Sequence, residues 1–249
     1  MSGDKAGLPD KDGVRFLDAG DSALIVEFGT VVDPALSARV VAFERALGHA
    51  ELPGIIETLA TFRSVLVNYD PDRLSRAQLI ETVEHLLGDD IEARTSAHSW
   101  RLPVCYDGEL APDLALVADS TGLKPAEVIE RHVADDYHVY MIGFSPGQPY
   151  LGGKEESLAL PRQTEPRLKV PAGSVAMAMA LTTIYSLTSP GGWHVIGHCP
   201  VRLFDLAWQR PALLAAGDKV VFKPVSPREH ELITGEIAAG NYRPEMAEL

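Results

Sequence analysis

A chain of 249 residues with 46% hydrophobic and 23% charged residues has ordinary globular composition, and it is long enough for one large domain or two smaller ones. Its formal charge of −13 leaves no surplus of cations for a phosphate backbone or an anionic membrane surface, which argues against nucleic acid and membrane as partners. No apolar run approaches the roughly 20 residues of a bilayer span, and the start MSGDKAGLPDKDG lacks an apolar signal core, so the expected location is cytoplasmic.

Residues 1–13 are polar and are expected to be a disordered N-terminus. The run Ala23 to Phe28, closed by Gly29, is rich in β-formers and predicts a strand. Asp33-Pro34 supplies an N-cap and a first-turn proline, and Leu36, Val40, Phe43 and Leu47 follow at helical spacing until Gly48 stops the helix. A short strand fits Gly54 to Thr61, and a second β-run covers Ser64 to Tyr69. Ser75-Arg76-Ala77-Gln78 then forms a capping box, with Leu79, Val83 and Leu86 on one face and Gly88 as the stop. These elements predict a small ferredoxin-like α+β domain over residues 14–92. The polar, aperiodic DDIEARTSAHS reads as a linker.

Past the linker, Arg101 to Tyr106 predicts a strand, and Pro112 to Asp119 and Pro125 to Val133 predict two short helices. From Tyr137 onward short apolar runs are cut by Gly and Pro, the texture of a β-barrel or sandwich; the tail after Val225 fits a strand or a short helix. The second domain is placed at residues 99–235. Its two cysteines, Cys105 and Cys199, are too few for a disulfide framework and too isolated for zinc, so they are expected as buried thiols, and no metal site is expected.

The stretch GFSPGQPYLGGKEE looks at first like a phosphate loop. It fails as a Walker A motif, because Glu155 follows Gly153-Lys154 and Gln148 stands where the first glycine belongs. Arg162 and Arg167, each preceded by a proline in LPRQTEPRLKVPAGS, are two guanidinium forks able to grip a carboxylate or phosphate; the alternatives are solvated surface charges or pairing with Glu165. The turns around Gly173-Ser174 and Gly191-Gly192-Trp193 bring backbone close to a neighbour or expose N–H groups as an anion nest. His132 falls near a helix C-terminus, where the dipole favours the protonated ring; structural and acid–base roles are both open.

The ordered blocks GDSALIVEFG, LPVCYDGELAPDLALVADSTGL, EVIERH, YHVYMIGFSPGQPYLGG, LPRQTEPRLKVPAGSVA, SPGGWHVIGHCPVRLFD and LAAGDKVVFKPV resemble those of the family of B-type subunits of 5-oxoprolinase. That family is also called allophanate hydrolase subunit 1, or a carboxyltransferase-domain subdomain, and includes a histidine-kinase inhibitor. The resemblance implies a cyclophilin-like β-barrel for the second domain, a homologous C-type subunit as partner, an A-type subunit as a third component, and ATP-dependent (Mg²⁺-requiring) cleavage of a small amide or lactam. Inhibition of a histidine kinase is the alternative. The resemblance also implies catalytic roles for His132, Arg162 and Arg167, and a substrate pocket made by Gly143, Phe144, Pro146, Gly147, Tyr150, Gly173, Ser174, Tyr185, Gly191, Gly192, Trp193 and His198. The chain departs from the family pattern at Gln148, where an aromatic is expected, and at Met179, Leu181 and Thr183, which replace a glycine, a glutamine and a glycine. It also departs at His198, which replaces an arginine. Losing the glutamine removes a donor and an acceptor, and histidine is a weaker fixed cation near neutral pH.

Overall fold

Alternation of buried and exposed residues fixes the first sheet. The structure is a computed structural model that describes residues 13–88, 98–153 and 156–248. The expected disorder at residues 1–12, most of the linker, and Lys154 and Glu155 lie outside the described residues. The chain forms two compact units that divide between Thr95 and Ser96. The first contains β1 (Arg15–Asp18), β2 (Ala23–Glu27), α1 (Pro34–His49), β3 (Ile55–Ala60), β4 (Ser64–Tyr69) and α2 (Arg76–Gly88). Its strands pair antiparallel in the order β1-β2-β4-β3. Leu24 and Val26 on β2 and Val65, Val67 and Tyr69 on β4 turn the same face toward Val40, Phe43 and Leu47 of α1 and Leu79 and Val83 of α2. Phe28 packs on Phe43 with ring centroids 5.3 Å apart. The buried Glu27 is neutralised by Arg15 and Arg63.

Helix α1 starts where the sequence says, with the Asp33 carboxylate accepting the N–H groups of Ala35 (2.9 Å) and Leu36 (3.1 Å). It passes through Gly48 and ends at His49. A single glycine costs a helix only about 1 kcal/mol, which the packed face of α1 offsets. Strand β1 escapes sequence reading because RFLD is too short to show a period; pairing with β2 creates it.

The second unit contains β5 (His98–Val104), α3 (Leu114–Thr121), α4 (Pro125–Val133), β6 (Asp136–Ile142), β7 (Pro149–Gly152), β8 (Arg167–Val170), β9 (Ser174–Ala178), β10 (Leu181–Ile184), β11 (Ser189–Gly191), β12 (His194–His198), β13 (Lys219–Pro224), α5 (Pro227–Ala238) and β14 (Glu245–Glu248). Eight strands form one sheet in the order β12-β9-β10-β7-β6-β13-β5-β14. Reciprocal 2.9 Å backbone hydrogen bonds between Cys105 and His198 join the far end of β5 to β12. The tail holds both a helix and a strand, and β14 pairs with β5, so this unit extends past residue 235. That pairing also draws β5 back to His98, ahead of the predicted start at Arg101.

Strand β9 is buried on both faces. Val175 and Met177 enter the main core with Val139, Leu151, Ile184 and Ile196. Ala176 and Ala178 face the other way, under Val170, Tyr185, Trp193 and Val195. The small alanines leave room for the two large rings. A two-stranded ribbon, β8 with β11, belongs to this second layer. Asp33→Ala is expected to lower the stability of the first unit by about 0.5–2 kcal/mol through loss of the cap, measured by urea denaturation.

Candidate functional site

Asp113 organises the second layer. It precedes α3, yet its side chain caps nothing there. It is 4% exposed, and its carboxylate instead accepts the Val195 N–H at 2.7 Å, Gln163 Nε2–H at 3.3 Å and Arg167 Nη2–H at 2.5 Å. Arg167 also donates to Gln163 Oε1 at 3.1 Å. A buried carboxylate is costly unless its lone pairs are satisfied, and these three donors come from β8, β12 and the segment between Leu160 and β8. The same segment is tied to the sheet by Gln163 N–H to the Gly192 carbonyl (2.8 Å) and His194 Nε2 to the Pro161 carbonyl (2.9 Å).

Arg162 lies over the Trp193 indole, its Cζ 5.7 Å from the ring centre. Trp193 meets Tyr150 edge-on at 5.9 Å. Burial raises the Tyr185 pKa, while both Arg162 and Arg167 pull it down, so the two guanidinium groups share one neighbourhood. Arg167 is engaged by Asp113 and Arg162 is an exposed stacking cation, so they are not two equivalent free forks.

Two clefts flank the Pro171–Ser174 turn. The smaller, about 320 Å³, is lined by Glu109, Leu110, Arg167, Lys169, Ser174 and His198 among others. The larger, about 560 Å³, is lined by Gly173, Tyr185, Ser186, His198, Leu203 and Phe204 among others. Gly173 has φ +85°, and a Cβ there would lie 2.6 Å from His198 Nε2. His198 faces both clefts. Its Nε2 sits 3.0 Å from the Ala172 carbonyl and must carry the proton, so its Nδ1 accepts from His230 Nε2–H at 2.9 Å. Burial, then the neighbouring His230, lowers the His198 pKa and keeps the ring neutral.

The profile of the carboxyltransferase domain, subdomain C and D, matches residues 14–214. The chain belongs to this carboxyltransferase-domain family. It is similar to the B-type subunit of 5-oxoprolinase from Bacillus subtilis (strain 168), 37% identical over 222 residues that cover 85% of this chain and 92% of that protein. The crystal structure of TTHA0988 is 36% identical with a TM-score of 0.74, over 82% of this chain and 40% of that one. The Kluyveromyces lactis urea carboxylase is 21% identical with a TM-score of 0.80, over 98% of this chain and 25% of that one, a likeness of fold. The chain therefore spans less than half the length of these two solved proteins. Like the carboxyltransferase domains it matches, it is a mixed α/β protein.

Other residues expected from the family resemblance fall into separate places. Gly147 (φ +73°) packs behind the larger cleft, where a Cβ would meet Phe204 Cβ at 2.7 Å, while Phe144 and Pro146 are exposed and Gly143 half-buried in the same loop. Gly191 closes on the Tyr185 hydroxyl and Gly192 anchors Gln163. Met179 takes φ +54° and is 60% exposed, a left-handed turn position that suits the family's glycine. Thr183 is absorbed by donating to the Pro149 carbonyl at 2.7 Å. Leu181, in place of the glutamine, is half-buried against the second layer. Both cysteines are buried, and burial pushes the Cys199 thiol up to about 12.

His132 reverses its expectation. It is 1% exposed, bonded through Nδ1 to the Tyr106 hydroxyl (2.9 Å) and through Nε2 to Thr182 Oγ1 (3.3 Å), and stacked on Phe222 at 4.9 Å. Burial lowers its pKa to about 3, which outweighs the helix-end dipole, so the ring is neutral at pH 7. Sequence reading misses Asp113, Gln163, Lys169 and His230. Pro112-Asp113 reads as an ordinary helix start, and only the fold brings residues 50 and more apart together.

A folded pKa below the unfolded one means that stability is complete above about pH 6.5 and is lost as pH falls toward about 3. His132→Gln is expected to flatten the pH dependence of unfolding free energy between pH 6 and 4 by about 1.4 kcal/mol per pH unit, followed by urea melts across that range.

Proposed function

We propose that the chain is a B-type subunit of a 5-oxoprolinase or related amide hydrolase, acting in the cytoplasm with C-type and A-type subunits. The support is its similarity along almost the whole of the corresponding Bacillus subtilis 5-oxoprolinase component. We read the first unit as ferredoxin-like and the second as a cyclophilin-like barrel, which the Cys105–His198 bridge favours.

The observation that carries the site assignment is the held guanidinium of Arg167 at the smaller cleft. Arg167 spends one N–H on Asp113 and one on Gln163, leaving three of its five donors for a ligand. Lys169 lies on the same cleft. The two cations are balanced by two carboxylates, Asp113 and Glu109, and His198 is neutral, so the cleft carries no net charge. Such a site orients a small polar amide or a single carboxylate through hydrogen bonds; the Arg167 fork holds the oxygen and Lys169 screens its charge.

A magnesium nucleotide does not fit these residues. A triphosphate needs an excess of cations, and in the smaller cleft Arg167 is paired with Asp113 while Lys169 is accompanied by Glu109. ATP would activate the amide oxygen for hydrolysis, and we place its binding on another component of the complex.

In a complex reconstituted with the A-type and C-type subunits, ATP-dependent hydrolysis of 5-oxoproline is expected, and Arg167→Lys and Arg167→Ala are expected to lower kcat/KM by about 10- to 100-fold, the loss of one or two charge-assisted hydrogen bonds. Absence of ATP-dependent turnover of 5-oxoproline, allophanate and urea derivatives by the wild-type complex contradicts the reading.

A further inference from the structure

The charge of the smaller cleft turns on a residue that lies outside it. Arg167 is paired with Asp113 and Lys169 is accompanied by Glu109, so the balance depends on whether the His198 ring is neutral or protonated. Its Nε2–H donates to the Ala172 carbonyl at 3.0 Å, which leaves Nδ1 as the one ring nitrogen able to take a proton. That lone pair is occupied by the Nε2–H of His230 at 2.9 Å, with the two rings edge to face at 5.0 Å.

Local sequence sets His230 there. Ser226-Pro227-Arg228-Glu229 forms a capping box, in which the Glu229 carboxylate accepts the Ser226 N–H at 2.8 Å, and α5 starts at Pro227. His230 follows at the end of the first turn, its own N–H bonded to the Ser226 carbonyl at 2.9 Å. It is 8% exposed on a helix whose other residues are half-buried or exposed. In this arrangement the free lone pair of the two rings is Nδ1 of His230, so a proton arriving from solvent adds there, on a residue that lines neither cleft.

Burial lowers the His230 pKa, with Glu231 opposing, and the positive end of the α5 dipole disfavours a charged ring. Burial also lowers the His198 pKa; His230 adds to that effect and the Ala172 carbonyl opposes it. The remaining groups around the pair are accounted for. Glu229 is committed to Ser226, Arg202 on the larger cleft is paired with Asp205, and the flanking thiols of Cys105 and Cys199 are neutral, their pKa values raised by burial.

We propose that His230 is a specificity-determining residue of the smaller cleft: by donating to His198 Nδ1 it keeps that ring uncharged, and so sets the preference of the cleft between a neutral amide and a carboxylate. It acts through His198 and is a positioning residue, not a group that touches the ligand. The inference rests on the reading of the Arg167 cleft as the ligand site. A donor at position 230 is the requirement, so glutamine, with its amide N–H, replaces histidine, while alanine opens His198 Nδ1 to water and to protonation.

The test follows the His198 ring of the full chain by imidazole nitrogen NMR, its signals identified by their loss in His198→Gln. In the wild-type chain and in His230→Gln the ring is expected to remain the neutral Nε2–H tautomer between about pH 8 and 6. In His230→Ala its titration midpoint is expected to rise by about one pH unit. Acetate and acetamide, titrated against each chain, report the preference. At about pH 6 His230→Ala is expected to bind acetate roughly threefold more tightly than the wild type does, with no change at about pH 8 and none for acetamide at either. A variant that is merely loosened weakens both probes at both pH values, and that result overturns the proposal. So does a His198 titration that His230→Ala leaves in place, or one that His230→Gln moves as far as alanine does. Acetate binding that survives Arg167→Ala, or binding by neither probe, removes the reading of the cleft itself and the inference with it.

Discussion

One buried carboxylate ties together the covering layer of the second unit. Asp113 is withdrawn from water, and in a low-dielectric setting its charge is tolerable only if donors surround it. The fold answers with a backbone N–H from β12, an amide from Gln163 and the guanidinium of Arg167. These donors come from three separate segments, so satisfying one charge fixes the position of all of them. The covering layer over Ala176 and Ala178, with Trp193 and Tyr185, rests on that arrangement.

The same constraint shapes the chemistry open to the site. An arginine neutralised by a buried aspartate is rigid but carries little net field, so it selects by hydrogen-bond geometry more than by charge. Lys169 is offset by Glu109 across the smaller cleft. His198 cannot restore the missing cation, because its Nε2–H is committed to Ala172 and its Nδ1 to His230. A site of this character suits a small amide better than a polyphosphate.

Local rules make much of the fold legible. Helix α4 runs from Pro125 to Val133 as its sequence predicts, and the caps at Asp33 and at Ser75-Gln78 form as the spacing demands. Elements that depend on distant pairing are harder to read. Strand β1 and the early start of β5 exist because partners exist, and β14 is one of two options that the tail's sequence leaves open. In the site, Arg162, Arg167, Tyr185 and Trp193 do share one face. Asp113 is invisible in the sequence because its context is that of a helix cap, while its actual partners lie 50 to 82 positions away. For the protonation of His132 the sequence suggests the wrong sign, because a helix-end dipole takes no account of complete burial.

Asp113 and Arg167 act as one unit, and everything said of the site depends on it. A double-mutant cycle with Asp113→Asn, Arg167→Met and the combination, read as unfolding free energy at low salt, measures this directly. The expected result is a coupling of about 1–3 kcal/mol, with each single variant worse than the pair's independence would allow. Additive effects within about 0.5 kcal/mol would mean that the ion pair is incidental and that something else positions the layer.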